Sequence, residues 1–137
     1  MIFVDPSIIS ETLRKSPSEA VIAWLVRYDA ELALPTITIA EIAYSIQKIL
    51  RDQRAGRLQQ GLDSWRQRFA DRIYGLTEEA AMEYGEIMGT ASRQGCVMSA
   101  PDGMIAAIAR VNGGRLETRN LADFATTGLE LISPWDF

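Results

Sequence analysis

Histidine is absent from this chain of 137 residues. The usual Ser-His-Asp and Cys-His systems, in which an imidazole activates the nucleophile, are therefore excluded. Catalytic zinc sites in their usual form are excluded as well, because they depend on histidine ligands. Any chemistry must come from carboxylates, amides and hydroxyls, and carboxylates suit hard cations such as Mg²⁺ and Mn²⁺.

Cysteine and long apolar runs are also scarce. Cys96 is the single cysteine, so it cannot form an internal disulfide, and we expect it to be a small buried hydrophobic residue. A membrane-spanning helix needs about 20 apolar residues, and charges interrupt every run before that length. The N-terminus lacks the basic and apolar regions of a signal peptide. The sequence therefore predicts a cytoplasmic protein with no membrane partner.

A strong positive charge is missing too. The net charge is −4 and the pI is about 4.8, unlike those of a strongly basic nucleic-acid-binding protein. Half of the 14 basic residues, however, lie between Lys48 and Arg72, where only three acids oppose them and the local charge is +4. We interpret this segment either as a solvated helical hairpin or as a basic arm that contacts phosphates.

What the chain does contain is an alternation of short apolar strands and longer helical patterns. The apolar run 2–4 leads into Asp5, and such a continuous run is typical of a strand buried on both faces, as in a parallel sheet. Further strands are predicted at 32–35, 73–76, 116–118 and 129–132. The sequence predicts a single domain over residues 1–137, of the α/β class, with a short, mostly parallel central sheet flanked by helices on both faces.

Four polar residues fall where strand ends and helix starts share one edge of such a sheet. Asp5 and Asn120 end the first and fourth predicted strands, while Glu41 and Asp102 lie at or near helix starts. In doubly wound sheets, ligands bind at this edge. Three carboxylates cannot converge there with unpaired charges unless a cation joins them. The pattern therefore predicts a Mg²⁺ or Mn²⁺ site.

Each of these residues also has an ordinary structural explanation. Asp5 can cap the following helix, Glu41 can lie on a solvated polar stripe, and Asp102 can complement a helix dipole. Asn120 and Asp123 are typical of turns. The case for a site rests on the joint pattern rather than on any single residue.

Motifs spread over the whole chain resemble the PIN-domain family and, within it, the VapC-like toxins of type II toxin–antitoxin operons. They are IFVD with IISE (2–5, 8–11), TIAEI (38–42), APDGMIAA (100–107), LETRN with DF (116–120, 123–124) and SPW (133–135). The motifs occur in the family's order and at similar spacing.

The resemblance implies a Mg²⁺- or Mn²⁺-dependent endoribonuclease, the toxin of a type II toxin–antitoxin pair, that hydrolyses RNA phosphodiesters with an activated water. Asp5, Glu41 and Asp102 match the first three acids of the family's site. All three are expected to bind the metal, Asp5 and Asp102 most directly. Asn120 matches the fourth catalytic position, and Asp123 is an alternative fourth acid.

The resemblance also implies partners. They are an RNA substrate, a small cognate antitoxin and a second copy of the chain in a homodimer. We assign Ser7, Thr118 and Arg119 to positioning of the substrate.

The first motif departs from the family pattern. Many relatives read Asp-Thr-Asn, and this chain reads Asp5-Pro6-Ser7. Pro6 supplies neither a hydroxyl nor an N–H, while Ser7 keeps a small polar group. This departure leaves an alternative function open, that of a catalytically weak PIN-like module that binds RNA or protein without cutting.

Overall fold

Five short strands make up the sheet of this computed structural model, which describes residues 1–137. They are β1 (Ile2–Val4), β2 (Leu32–Pro35), β3 (Ile73–Tyr74), β4 (Arg115–Glu117) and β5 (Leu131–Ile132). Their order in the sheet is β3-β2-β1-β4-β5, and all neighbouring pairs are parallel. The carboxyl ends of all five strands therefore meet at one edge.

Six α-helices connect these strands. They are α1 (Pro6–Thr12), α2 (Glu19–Tyr28), α3 (Thr36–Lys48), α4 (Arg54–Arg68), α5 (Glu78–Arg93) and α6 (Ala100–Val111). None of them is long and apolar enough to span a membrane. The predicted α/β fold with a parallel sheet is confirmed.

Polar side chains at the helix starts explain why several helices begin where they do. Asp5, Ser18, Thr77 and Ser99 are the N-caps of α1, α2, α5 and α6, and each accepts a hydrogen bond from a backbone N–H two or three residues later. Such a cap contributes about 1 kcal/mol to stability. Two of the capped helices, α1 and α6, carry the predicted site residues Ser7 and Asp102.

The hydrophobic core lies on both faces of the sheet. Ile2 and Val4 pack with side chains of α1, α2, α3 and α4 on one face, whereas Phe3 packs with those of α5 and α6 on the other. All three residues are at most 1% exposed. Full burial of a large apolar side chain contributes roughly 1.5–3 kcal/mol, so β1 anchors both halves of the core.

Some predicted boundaries and one predicted environment are wrong. β4 ends at Glu117, so Asn120 does not end this strand but lies three residues beyond it. The edge strands β3 and β5 each have two residues instead of four, because β3 loses its partner where β2 ends at Pro35, opposite Tyr74, and β5 first pairs at Leu131, opposite Leu116. Cys96 is exposed rather than buried, because Gly95, at φ +72°, turns the chain outward after α5.

Candidate active site

Asp5 stands at the junction of β1 and α1, at the carboxyl edge of the sheet. Its Oδ1 accepts a hydrogen bond from the Ser7 N–H at 2.9 Å and another from the Ser7 hydroxyl. The side chain thus caps α1, as the ordinary explanation requires, and still lies at the predicted edge. Burial raises the pKa of Asp5, and hydrogen bonds from Ser7 and Thr118 offset part of that rise.

Glu41 and Asp102 approach the same edge from two helices. Glu41 lies in the second turn of α3 and is half-buried. Burial raises its pKa, and the negative charges of Asp102 and Asp5 raise it further. Asp102 lies in the first turn of α6, where burial likewise raises its pKa, with smaller contributions from the charges of Asp5 and Asp123. The three carboxylates are therefore close enough to disfavour one another's ionisation.

The carboxylates form an open cluster. No three His, Cys, Asp or Glu side chains are placed to enclose a single ion. The donor chemistry nevertheless fits a hard cation, because only oxygen ligands are present and Mg²⁺ is usually held by one or two carboxylates plus water. The residues therefore fit Mg²⁺ or Mn²⁺ in donor type, with an arrangement open to solvent and substrate.

Two residues are candidates for the predicted fourth catalytic position. Asn120 and Asp123 are both exposed in the loop after β4, and the Asn120 N–H donates to the Thr118 hydroxyl at 3.1 Å. Of the two, Asp123 is the one whose charge raises the pKa of both Asp5 and Asp102. Electrostatically, Asp123 thus belongs to the acidic cluster.

Glu117 is the residue that sequence reasoning missed. It ends β4 with no exposed surface, and its Oε1 accepts a hydrogen bond from the Asp5 N–H at 3.2 Å. Burial, and then the charge of Asp5, raises the pKa of Glu117 well above its usual range. The available signal was a glutamate in a strand predicted to be covered on both faces, where no side of the strand meets water.

Arg119 lies at the rim of the cluster and is held from three sides. Its backbone N–H donates to Ser7 Oγ at 3.2 Å, and its guanidinium lies 5.0 Å from the centre of the Trp135 ring. A guanidinium nitrogen also lies 3.7 Å from Oε1 of the buried Glu11. Glu11 in turn accepts the Trp135 indole N–H at 3.2 Å. The C-terminal turn and α1 thus form a platform for Arg119.

The basic segment is largely neutralised by neighbouring acids. Arg54 pairs with Asp52 at 3.1 Å, Arg66 with Asp63 at 3.2 Å, Arg68 with Asp29 at 2.9 Å and Arg72 with Asp71 at 3.7 Å. The basic residues of this segment outside any such pair are Lys48, Arg51 and Arg57. For the paired arginines, the solvated hairpin is the better interpretation.

Comparison with known proteins assigns this fold to a protein family. A parallel sheet with acidic side chains gathered at its carboxyl edge defines a class of α/β domains, and the PIN-domain family model matches residues 2–127. The chain belongs to the PIN-domain family.

Its relatives include named toxins. The chain is 34% identical to the toxin FitB of Neisseria gonorrhoeae over 98% of its length and 99% of FitB. It is 32% identical to the VapC ribonuclease Y4jK of Sinorhizobium fredii, with 99% of each chain covered. The crystal structure of FitAcB from N. gonorrhoeae contains a chain that superposes with a TM-score of 0.90 at 33% identity, over 100% of both chains. The resemblance to VapC-like toxins is confirmed.

Proposed function

We propose that this protein is a metal-dependent endoribonuclease and the toxin of a type II toxin–antitoxin pair. The observation that carries the proposal is the set Asp5, Glu41 and Asp102, whose pKa values are all raised at one edge of a parallel sheet. Carboxylates with raised pKa values cluster at functional sites, and a cation nearby favours their charged form. Similarity to a VapC ribonuclease and to a FitB toxin supports the reaction and the biological role.

We assign a role to each acidic residue of the cluster. Asp5 and Asp102 would hold Mg²⁺ or Mn²⁺, directly or through water, and Glu41 would be a further ligand through a water. Bound there, the ion supplies Lewis-acid stabilisation of the charge that develops on the phosphate. Glu41, half-buried and open to solvent, orients the attacking water. By analogy with the family, water attacks the phosphorus and the bond to the 3′-oxygen breaks, so the expected products carry a 5′-phosphate and a 3′-hydroxyl.

Further neighbouring residues complete the proposed site. Arg119 faces the rim and contacts an RNA phosphate, which fixes the backbone without reading its sequence. Ser7 and Thr118, which we first assigned to the substrate, have hydroxyls that bond within the protein near Asp5. We therefore assign these two hydroxyls to holding Asp5. Either Asn120 or Asp123 occupies the fourth catalytic position. We favour Asp123 because its side chain is charged.

Cleavage of labelled RNA tests the proposal. The wild-type protein should cut RNA with Mg²⁺ or Mn²⁺ and stop when EDTA is added. The substitutions Asp5→Asn and Asp102→Asn should abolish cleavage, whereas Asp71→Asn, which alters an exposed acid outside the cluster, should leave it unchanged. Cleavage that persists in EDTA or in both site variants would overturn the mechanism.

A binding module without catalysis is the second candidate. Asp5-Pro6-Ser7 and the open arrangement of the carboxylates favour it. Such a module should retain RNA in EDTA and gain no thermal stability from Mg²⁺, because a ligand that binds the folded state raises its stability. Thermal unfolding with and without Mg²⁺ separates the two candidates.

We also propose a cognate antitoxin and a homodimer as partners. The structure of FitAB bound to a DNA fragment contains a chain that superposes with a TM-score of 0.89 at 33% identity, which supports the first. Exposed apolar side chains outside the carboxylate cluster support the second: Tyr44 on α3 is 65% exposed and Met82 on α5 is 76% exposed. Light scattering of the isolated chain should give twice the 15.2 kDa monomer mass. The substitution Met82→Arg should shift this mass towards that of the monomer.

A further inference from the structure

Glu117 is a buried carboxyl group with no cationic partner. It lies in register with Val4 of β1 on one side and with Ile132 of β5 on the other, so the sheet encloses it. Its side chain makes no ion pair with any Lys or Arg, and its exposed surface is 0%. Glutamate is almost never fully buried without a partner, because its burial lowers stability. A role beyond stability is therefore indicated.

Both oxygens of Glu117 face the segment that carries Asp5. Oε1 accepts the Asp5 N–H at 3.2 Å, and Oε2 lies 3.3 Å from Ser7 Oγ. Ser7 itself bonds the Asp5 carboxylate through both its N–H and its hydroxyl. Glu117 thus holds Asp5 directly by its backbone and indirectly through Ser7.

These contacts matter because the turn between β1 and α1 has few other donors. Pro6 supplies no N–H, so the orientation of the Asp5 carboxylate depends on Thr118, on Ser7 and on the groups that fix Ser7. One of those groups is the Arg119 N–H, which donates to Ser7 Oγ at 3.2 Å. The other is Glu117.

We propose that Glu117 is a positioning residue, which fixes the backbone of Asp5 and the hydroxyl of Ser7 so that the Asp5 carboxylate is oriented towards the divalent cation. The inference rests on the proposed function and adds to it a residue outside the family's acidic set. Groups that orient a metal ligand in this way typically change metal affinity by about 10–100-fold when they are removed.

The number of hydrogens on the Ser7 hydroxyl determines which hydrogen-bonding groups the side chain at position 117 must provide. The Ser7 hydroxyl carries one hydrogen, yet it lies within reach of both Asp5 Oδ1 and Glu117 Oε2. It can donate to only one of them at a time. A side chain that offers an acceptor to Asp5 and a hydrogen to Ser7 satisfies every contact, and glutamine does so at the same size. Leucine fills the space but offers neither.

The experiment compares wild-type protein with Glu117→Gln and Glu117→Leu by Mg²⁺ titration calorimetry. The Gln variant should bind Mg²⁺ within about threefold of wild type, and the Leu variant about 10–100-fold more weakly. Thr127→Val, which removes a buried hydroxyl bonded to Phe124 and Leu129 and to neither Asp5 nor Ser7, is the matched control and should bind Mg²⁺ as wild type does. Equal affinity in the Leu variant, or a loss in Gln as large as in Leu, would overturn the proposal.

Two further measurements test the role of Glu117 independently of RNA cleavage. Hydrogen exchange at the Asp5 amide, followed by NMR without metal, should be about tenfold faster in the Leu variant than in wild type and Gln. Equal rates overturn the proposal, whether or not the protein binds metal or cuts RNA. If Glu117→Leu does not fold, Glu117→Met, whose thioether offers no hydrogen and only a weak acceptor, replaces it with the same expected loss of Mg²⁺ affinity. Wild-type protein that binds Mg²⁺ but cuts no RNA would refute the nuclease function alone.

Discussion

The Thr38 hydroxyl donates a hydrogen bond to the Val4 carbonyl oxygen at 2.8 Å, joining the first turn of α3 to the end of β1. Both residues are fully or almost fully buried. This bond fixes the helix that carries Glu41 to the strand that delivers Asp5. The spacing of two of the proposed metal ligands therefore depends on a hydroxyl that touches neither of them.

Replacement of Thr38 by valine should lower the free energy of unfolding by about 0.5–1.5 kcal/mol, because the buried Val4 carbonyl would lose the hydrogen bond from Thr38. Denaturant unfolding measures the loss. Thr90→Val, which removes an exposed hydroxyl on α5, is the control and should change stability by less than about 0.5 kcal/mol. A Thr38 variant as stable as wild type would mean that the bond contributes nothing.

The charge of Glu41 should matter for turnover. We expect Glu41→Gln to lower kcat by about 10²–10⁴-fold, since an amide neither binds a cation as well nor accepts a proton from water. Single-turnover cleavage of labelled RNA gives the rate. Glu79→Gln, at an exposed position on α5, should cleave at the wild-type rate. Full activity in the Glu41 variant would remove Glu41 from the mechanism.

The stability of the metal-free protein should depend on pH through Glu117. Its pKa is raised by burial from the ordinary value of 4.5. A carboxyl group with a raised pKa contributes stability below its unfolded value, and this contribution is lost as pH rises towards its folded value.

The consequence is measurable against Glu117→Gln, which does not titrate. Relative to that variant, wild type should lose about 1.4 kcal/mol per pH unit above pH 4.5 while Glu117 remains protonated in the folded state. Urea unfolding of both proteins between pH 5 and 8 provides the difference. Parallel stability curves would show that Glu117 titrates alike in the folded and unfolded states.

Arg119 should contribute one phosphate contact. RNA binding by an Asp102→Asn background, which cannot cut, should weaken on Arg119→Ala, and the slope of log affinity against log salt should fall by about one. Arg93→Ala, an exposed arginine at the end of α5, should keep the wild-type slope. An unchanged slope in the Arg119 variant would mean that Arg119 does not contact an RNA phosphate.

Two glycines on neighbouring helices offer opposite predictions. A Cβ at Gly103 of α6 would meet Met88 Sδ at 2.5 Å and a Tyr84 ring carbon at 3.0 Å, so Gly103→Ala should destabilise the protein by about 1–3 kcal/mol. At Gly85 of α5 nothing lies within 4 Å, so Gly85→Ala should stabilise it by about 0.5–1 kcal/mol. Thermal unfolding of the two variants should shift in opposite directions. Shifts of the same sign would contradict the close packing of α5 on α6.

The sequence reveals the sheet and the acids because both follow local rules. The apolar run before Asp5 and the alternation of strands and helices predict a parallel sheet, and its topology places Asp5, Glu41 and Asp102 at one edge. The contacts of Thr38 and Glu117 were not predictable, since each joins residues far apart in the chain. Thr38 reads as a helix cap by pattern, yet its hydroxyl bonds to β1.

The ring of Trp135 lies beneath the one cation that we assign to RNA, and indole emission responds to a charge placed near it. Trp135 is thus an optical reporter of occupancy at this rim. Binding of RNA should draw the Arg119 guanidinium from its position 5.0 Å from the ring centre and change the fluorescence. With Trp24 and Trp65 replaced by phenylalanine, that signal would follow substrate arrival in real time, without a label on either molecule.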